Sequence, residues 1–192
     1  MNYHEWLDKG FAFTSRAKQI AKEITCPVDI VCPGKLCSDG LDKKVTIKAL
    51  WDTGATISSI DRDLAQSLSL IPIGKLPVFH ADGRSIQDVY TFNVNLLSRK
   101  FVINVGKAVS GSFSGQDFKM LIGMDIISLG DFFFGRCMGS EGYEVSYFSF
   151  AIPSIDRKID FVKEWQDGRV RRDKGQQIIR NQPKRKPPRS KR

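Results

Sequence analysis

The chain of 192 residues is 41% apolar, which provides for one sizeable core and excludes two typical domains joined by a linker. Its formal net charge of +9 is confined to one end, since residues 1–150 carry 16 Lys and Arg against 16 Asp and Glu, whereas residues 151–192 carry 14 against 5. The body is therefore neutral, and the whole basic excess belongs to the C-terminal tail.

Residues 1–40 are predicted to be an N-terminal extension. They hold no apolar run of the length that a signal peptide needs, and no later segment approaches a membrane span. We therefore expect a cytoplasmic protein with no membrane contact and with reduced cysteines. Cys26, Cys32 and Cys37 cluster in the extension but form no CxxC pair, so buried or loop cysteines are favoured over a metal site. Neither a metal nor a cofactor is expected.

The stretch "KKVTIKALWDTGA" predicts a strand that ends at Asp52. Apolar and polar residues alternate from Val45 to Ala49, as in a half-buried strand, before Leu50 and Trp51 continue into the interior. A carboxylate directly after a buried strand is costly to desolvate. A fold therefore retains one there for a cap, a metal or chemistry.

A short helix is predicted after this turn. Apolar residues recur at helical spacing from Ile60 to Leu68, and Ser58 with Asp61 could form a weak capping box at its start. Asp61, Asp63 and Asp125 are accordingly interpreted as capping or surface carboxylates.

The rest of the body consists mainly of strand patterns. Two such segments flank "HADGRS", where Asp82-Gly83 is a strong signal for a two-residue hairpin turn, and the second arm alternates cleanly from Tyr90 to Leu96. The segments "KFVINVG", "FKMLIGMDII" and "YEVSYFSFAIP" follow, with a Gly/Ser-rich loop after the first. Residues 41–153 are therefore predicted to form a mostly β domain with one or two short helices.

Residues 154–192 are predicted to be a basic, disordered tail, because they hold too little apolar surface to offset their ordering entropy. Two interpretations of residues 170–192 remain open. They bind nucleic acid or another polyanion through phosphate contacts, or they form a solvated tail with no dedicated partner.

Three ordered elements of the body resemble the retropepsin-like aspartic proteases: "WDTGAT", the hairpin about "ADGR", and "LIGMDII". Together they cover roughly residues 41–135. The resemblance implies a closed β-barrel of the acid-protease fold and an aspartic endopeptidase that hydrolyses peptide or protein substrates. Since no polyprotein segment accompanies the domain, a free-standing cellular member of the family is expected.

The resemblance also implies a role for individual residues. Asp52 is the catalytic residue, one of two carboxylates that share a proton and activate water. The supports of the active-site loop are Thr53, Gly54, Ala55, Leu121, Ile122 and Gly123. The flap that binds substrate comprises His80, Ala81, Asp82, Gly83 and Arg84, although for His80 and Arg84 the interpretation as solvated hairpin side chains is favoured over one in which they line the cleft.

The sequence supplies one Asp-Thr-Gly loop, so the two carboxylates are expected to come from two chains of a homodimer. Two alternative functions are open. The domain could be a catalytically idle module for dimerisation or peptide binding, or the protein could bind polyanions through its basic tail while the domain only dimerises it.

Overall fold

A computed structural model describes residues 10–80, 83–96, 102–154, 160, 162, 163 and 166. The chain divides into two compact units, Met1–Ile155 and Asp156–Arg192. Most of the predicted basic tail lies outside the described residues, so its disorder and its polyanion binding stay predictions. In the part of the chain that is described, no helix has the length and apolar character needed to cross a bilayer.

The first unit is built from strands with short helical segments between them. The strands are β1 (Phe11–Arg16), β2 (Thr25–Cys32), β3 (Lys43–Trp51), β4 (Ser59–Asp61), β5 (Gly74–His80), β6 (Gly83–Leu96), β7 (Val102–Gly111), β8 (Met120–Ile122), β9 (Asp131–Met138) and β10 (Glu144–Ile152). The α-helices are α1 (Arg62–Ser67) and α2 (Met124–Ile127), and a single 3₁₀ turn spans Gly34–Leu36. The mostly β prediction with one or two short helices is confirmed.

Six strands close into a barrel in the order β2, β3, β8, β4, β7 and β6. Closure comes from β6, whose second half pairs with β7 and also with β2, for example Val94 with Ile30. The first half of β6 leaves the barrel and pairs with β5 as a hairpin. Because the barrel closes on itself, β2 and β6 have no free edges over the paired residues. The predicted closed barrel is therefore present.

A second sheet, in the order β1, β10, β9, packs its aromatic side chains against the end of β3. Trp51 is 4% exposed, and its ring centroid lies 4.8 Å from Phe150 and 5.5 Å from the stacked ring of Phe132. Phe13 contacts the same cluster at 6.2 Å from Trp51. This aromatic packing holds the end of β3 in place and so fixes the position of the next residue, Asp52.

The predicted boundary at residue 41 does not coincide with a structural boundary. β2 lies in the predicted extension, yet all of its residues pair with β3, from Thr25 opposite Leu50 to Cys32 opposite Lys43. β1 likewise pairs with β10 over six residues. The pairing of β1 with β10 joins residues more than 130 positions apart, so local sequence patterns carry no sign of it.

Two local predictions are wrong in detail. The cap of α1 is Asp61, whose Oδ1 accepts the Leu64 N–H at 3.2 Å, and Ser58 lies before β4 and takes no part in it. In the hairpin, His80 pairs with Gly83, so Gly83 is the first residue of β6, with φ of 128°, and is not a turn residue, while residues 81 and 82 lie outside the described residues. The hairpin differs because β5 and β6 pair further than their apolar patterns do, and the cap differs because the Ser58 hydroxyl donates to Asp125 instead.

The clustered cysteines are core residues. Cys26, Cys32 and Cys37 are all buried, and the Trp51 indole N–H donates to the Cys26 Sγ at 3.2 Å. Burial raises the pKa of Cys26 and of Cys32 to about 11. These thiols are therefore protonated at neutral pH, which makes them poor nucleophiles.

Candidate active site

The turn after β3 carries Asp52 in a geometry set by backbone hydrogen bonds. The Asp52 N–H donates to the Ile122 carbonyl at 2.9 Å, and the Asp52 carbonyl accepts the Ala55 N–H at 3.2 Å. The Gly54 N–H donates to the Asp52 Oδ1 at 2.9 Å. A side chain at position 54 would bring its Cβ within 3.2 Å of that oxygen, so glycine gives the carboxylate room to take this bond. Thr53 is exposed at the tip of the same turn.

The support behind this turn is β8, which runs parallel to β3 with Leu121 opposite Leu50 and Ile122 opposite Trp51. Gly123 follows at once and touches the returning loop. A Cβ at Gly123 would lie 2.8 Å from the Ile57 carbonyl carbon and 2.9 Å from the Ala55 oxygen. The backbones approach so closely that only glycine fits at this position without displacing them.

A buried polar network joins the end of this loop to α2. The Ser58 hydroxyl donates to the Asp125 Oδ1 at 2.7 Å and accepts the Gly123 N–H at 3.0 Å. The same Asp125 oxygen also accepts the N–H groups of Ser58 and Ile126, at 3.0 and 3.1 Å. Asp125, in α2, therefore holds the end of the Asp52 loop in place, a role that the prediction of a capping or surface carboxylate did not include.

Replacement of Asp125 tests this network. Asp125→Ala leaves the fully buried Ser58 without its acceptor, and the expected cost is about 1–3 kcal/mol of unfolding free energy. Asp125→Asn keeps an acceptor oxygen in place and is the matched control, with an expected loss well below that of the alanine variant. Urea denaturation of both variants measures the difference, and equal losses would contradict the hydrogen-bonding role.

A cavity of about 540 Å³ opens beside Asp52, which is half-buried. Its walls are residues 54–57 and 59 after β3, 76–79 of β5, 109–113 at the end of β7, and Leu121 of β8. Most of these side chains are apolar, and Asp52 is the one titratable group among the described lining residues. The cavity thus offers an apolar surface to a ligand and a single carboxylate for chemistry.

Of the predicted flap residues, His80 ends β5, and Gly83 and Arg84 begin β6. Within the described part of the hairpin, residues 76–79 line the cavity, whereas Gly83 and Arg84 do not. The Arg84 guanidinium lies 5.8 Å from the centre of the exposed Phe79 ring. The side chain of His80, with Ala81 and Asp82, lies outside the described residues. Sequence reasoning missed residues 76–79, although their apolar character just before the turn was a usable signal.

The base of the hairpin is fixed to the barrel through Gln87. Its Oε1 accepts the Ser110 hydroxyl at 3.0 Å and the Arg62 guanidinium at 3.2 Å, while its Nε2 donates to the Ser85 hydroxyl at 2.9 Å. Ser110 itself lines the cavity. The hairpin is thus attached to β7 and α1 near its base.

Residues 35–126, a range that includes Asp52 and Gly123, match the family model described as aspartyl protease. Two solved structures are similar to the chain. A retropepsin-like aspartic protease from Rickettsia conorii is 15% identical, with a TM-score of 0.43 over 75% of this chain and 97% of that one. The protease of simian foamy virus (mac) is 17% identical, with a TM-score of 0.37 over 55% and 92% of the two chains. A comparison with curated protein sequences gave no match.

Proposed function

We propose, from the match of residues 35–126 to the aspartyl protease family, that this chain is an aspartic endopeptidase whose catalytic residue is Asp52. The observation that carries the proposal is the Asp52 carboxylate, oriented by the Gly54 N–H and placed in an apolar cavity. A carboxylate in such surroundings can hold a water molecule and remove its proton.

The mechanism uses two carboxylates that share one proton. The ionised carboxylate takes a proton from water, whose oxygen attacks the carbonyl carbon of the peptide bond, while the protonated carboxyl donates a hydrogen bond to the carbonyl oxygen. Collapse of the tetrahedral intermediate breaks the C–N bond, and the leaving nitrogen takes the proton that the carboxylate removed from water, so the pair again holds one proton. Because two like charges so close repel, the pair titrates as a unit and keeps one proton.

The second carboxylate comes from a second chain. Among the described residues that line the cavity, Asp52 alone is titratable, so one chain supplies half of the required pair. A twofold dimer that brings Asp52 to its symmetry mate completes the site. The tip of the turn, Thr53 and Gly54, is exposed and so is available to such a partner.

The substrate is proposed to be a peptide or protein segment held beneath the β5–β6 hairpin. Residues 76–79 of the hairpin supply one apolar wall of the cavity, and residues 109–113 supply another. The attachment of Gln87 to Ser110 and Arg62 gives the hairpin a fixed base, as a flap that closes over substrate needs.

The proposal is tested with an unbiased peptide library and a statine-type transition-state mimic. We expect cleavage at internal peptide bonds that the mimic inhibits, because the mimic resembles the tetrahedral intermediate. Peptide binding without cleavage would instead favour the catalytically idle module.

Dilution tests the two-chain site. Activity per chain is expected to fall steeply as the protein is diluted below the dimer dissociation constant, because each half-site is inert alone. Light scattering at the assay concentrations gives the oligomeric state in parallel. Constant activity per chain from a monomeric sample would contradict the dimeric site and leave the endopeptidase assignment to be judged on the cleavage assay.

A further inference from the structure

The loop after β7 places one large side chain in the cavity. In the segment "SGSFSGQD", Phe113 is the one aromatic residue, and it lines the cavity while remaining partly exposed. A loop of Gly and Ser has little packing of its own, so its course depends on contacts with the rest of the domain.

Asp61 provides such a contact from an almost fully buried position, with 3% of its surface exposed. Its Oδ2 accepts the Phe113 N–H at 3.1 Å and lies 3.7 Å from the Lys119 Nζ. Its Oδ1 accepts the Leu64 N–H at 3.2 Å. One carboxylate therefore joins the start of α1 to both ends of the loop, and its burial is offset by these partners.

The Phe113 ring is also fixed by contacts with Gly111 and Phe118. A Cβ at Gly111 would lie 2.8 Å from the ring, so the ring packs directly on that glycine. The centre of the buried Phe118 ring lies 5.2 Å from that of Phe113. The backbone N–H and the ring of Phe113 are thus both fixed, which gives the cavity wall a defined shape at this point.

We infer that Phe113 determines the size of the substrate side chain accepted at this wall and that Asp61 is the positioning residue that holds it there. The inference rests on the proposed endopeptidase function and extends it to specificity. A fixed aromatic ring takes up space that a bulky substrate side chain would need. The wild-type protein is expected to prefer Leu or Val over Trp at the position that contacts Phe113.

Phe113→Ala is the first test. Removing the ring is expected to raise the ratio of kcat/KM for Trp-containing over Leu-containing peptides by about tenfold or more, as a change of several carbons in an apolar pocket does. Phe134→Ala is the matched control, because Phe134 lies on β9 outside this cavity. The inference is overturned if Phe113→Ala, still folded and active, keeps the wild-type ratio.

Asp61→Asn is the second test, since the amide can still cap α1 through its oxygen but cannot accept the Phe113 N–H with its NH₂ group. We expect the preference to move in the same direction as in Phe113→Ala. The double variant should show no further shift, because both changes act through one ring. A loss of stability with an unchanged preference would make Asp61 structural only and overturn its positioning role. If the wild-type protein cleaves no peptide at all, the proposed endopeptidase function is wrong. That result is distinct from cleavage with an unchanged preference, which contradicts only the inference about Phe113 and Asp61.

Discussion

Asp52→Asn is expected to abolish peptide cleavage, with a loss of at least about 10³-fold in kcat, while the protein stays folded. The amide has nearly the same shape as the carboxylate and can still accept the Gly54 N–H through its oxygen. It cannot, however, remove a proton from water, and a pair of amides cannot share a proton. Relief of repulsion between the two carboxylates is expected to leave the dimer as stable as the wild type or more so. Single-turnover cleavage and thermal unfolding of the same sample measure both effects.

The matched control for this variant is Asp63→Asn. Asp63 is exposed in the first turn of α1, so its amide variant should keep most of the activity. Asp61 and Asp125, which the sequence suggests as equivalent controls, are unsuitable because the structure places both in polar networks that support the loops. The controls for a catalytic carboxylate therefore have to be chosen from the structure.

Mixed dimers provide a second test of the catalytic role of Asp52. A dimer of one wild-type and one Asp52→Asn chain lacks one of the two carboxylates and should be inactive, so the variant is expected to inhibit the wild type when subunits exchange. Should Asp52→Asn unfold the protein, the carboxylate is structural. Should it cleave peptides at the wild-type rate, the endopeptidase proposal is wrong.

Much of the barrel could be predicted because its signals are local. The alternation from Val45 to Ala49 gives β3, and the pattern from Tyr90 to Leu96 gives the second half of β6. The pairings of β1 with β10 and of β2 with β6 join residues far apart in the chain, and no single segment carries a sign of them. The predicted N-terminal extension, residues 1–40, therefore includes two strands, β1 and β2, that its local pattern does not indicate.

The candidate site divides in the same way. Asp52, Gly54 and Gly123 lie in the short motifs "WDTGAT" and "LIGMDII", whose resemblance to a known family makes them candidates from the sequence alone. The role of Asp61 depends on a loop about fifty residues away, and the sequence shows only a residue suited to a helix cap. Residues that belong to a short motif can thus be proposed from the sequence, whereas the part that Asp61 plays in holding a distant loop becomes visible only from its contacts in the structure.

Gly123→Ala is expected to damage both stability and activity, because the new methyl group would meet backbone atoms that cannot rotate away. Its Cβ would lie 2.8 Å from the Ile57 carbonyl carbon and 2.9 Å from the Ala55 oxygen. The φ of Gly123 is −92°, which any residue adopts, so the expected cost comes from this contact alone. Overpacking of this kind costs about 1–3 kcal/mol.

The methyl group of Gly123→Ala would displace the loop that follows Asp52. This loop contains Ala55, whose carbonyl oxygen also accepts the Met124 N–H at 2.8 Å. A shift of about 1 Å in a catalytic group can reduce the rate about 100-fold, so activity is expected to fall beyond what the unfolded fraction explains. Gly106→Ala on β7 is the matched control, because no atom lies within 4 Å of the Cβ it would introduce, and it should change stability by less than about 0.5 kcal/mol. Urea denaturation with kcat measured on the folded fraction separates the two effects. If Gly123→Ala is as stable as the wild type, the prediction is wrong, and the backbone of Ala55 and Ile57 can move away from position 123 at little cost.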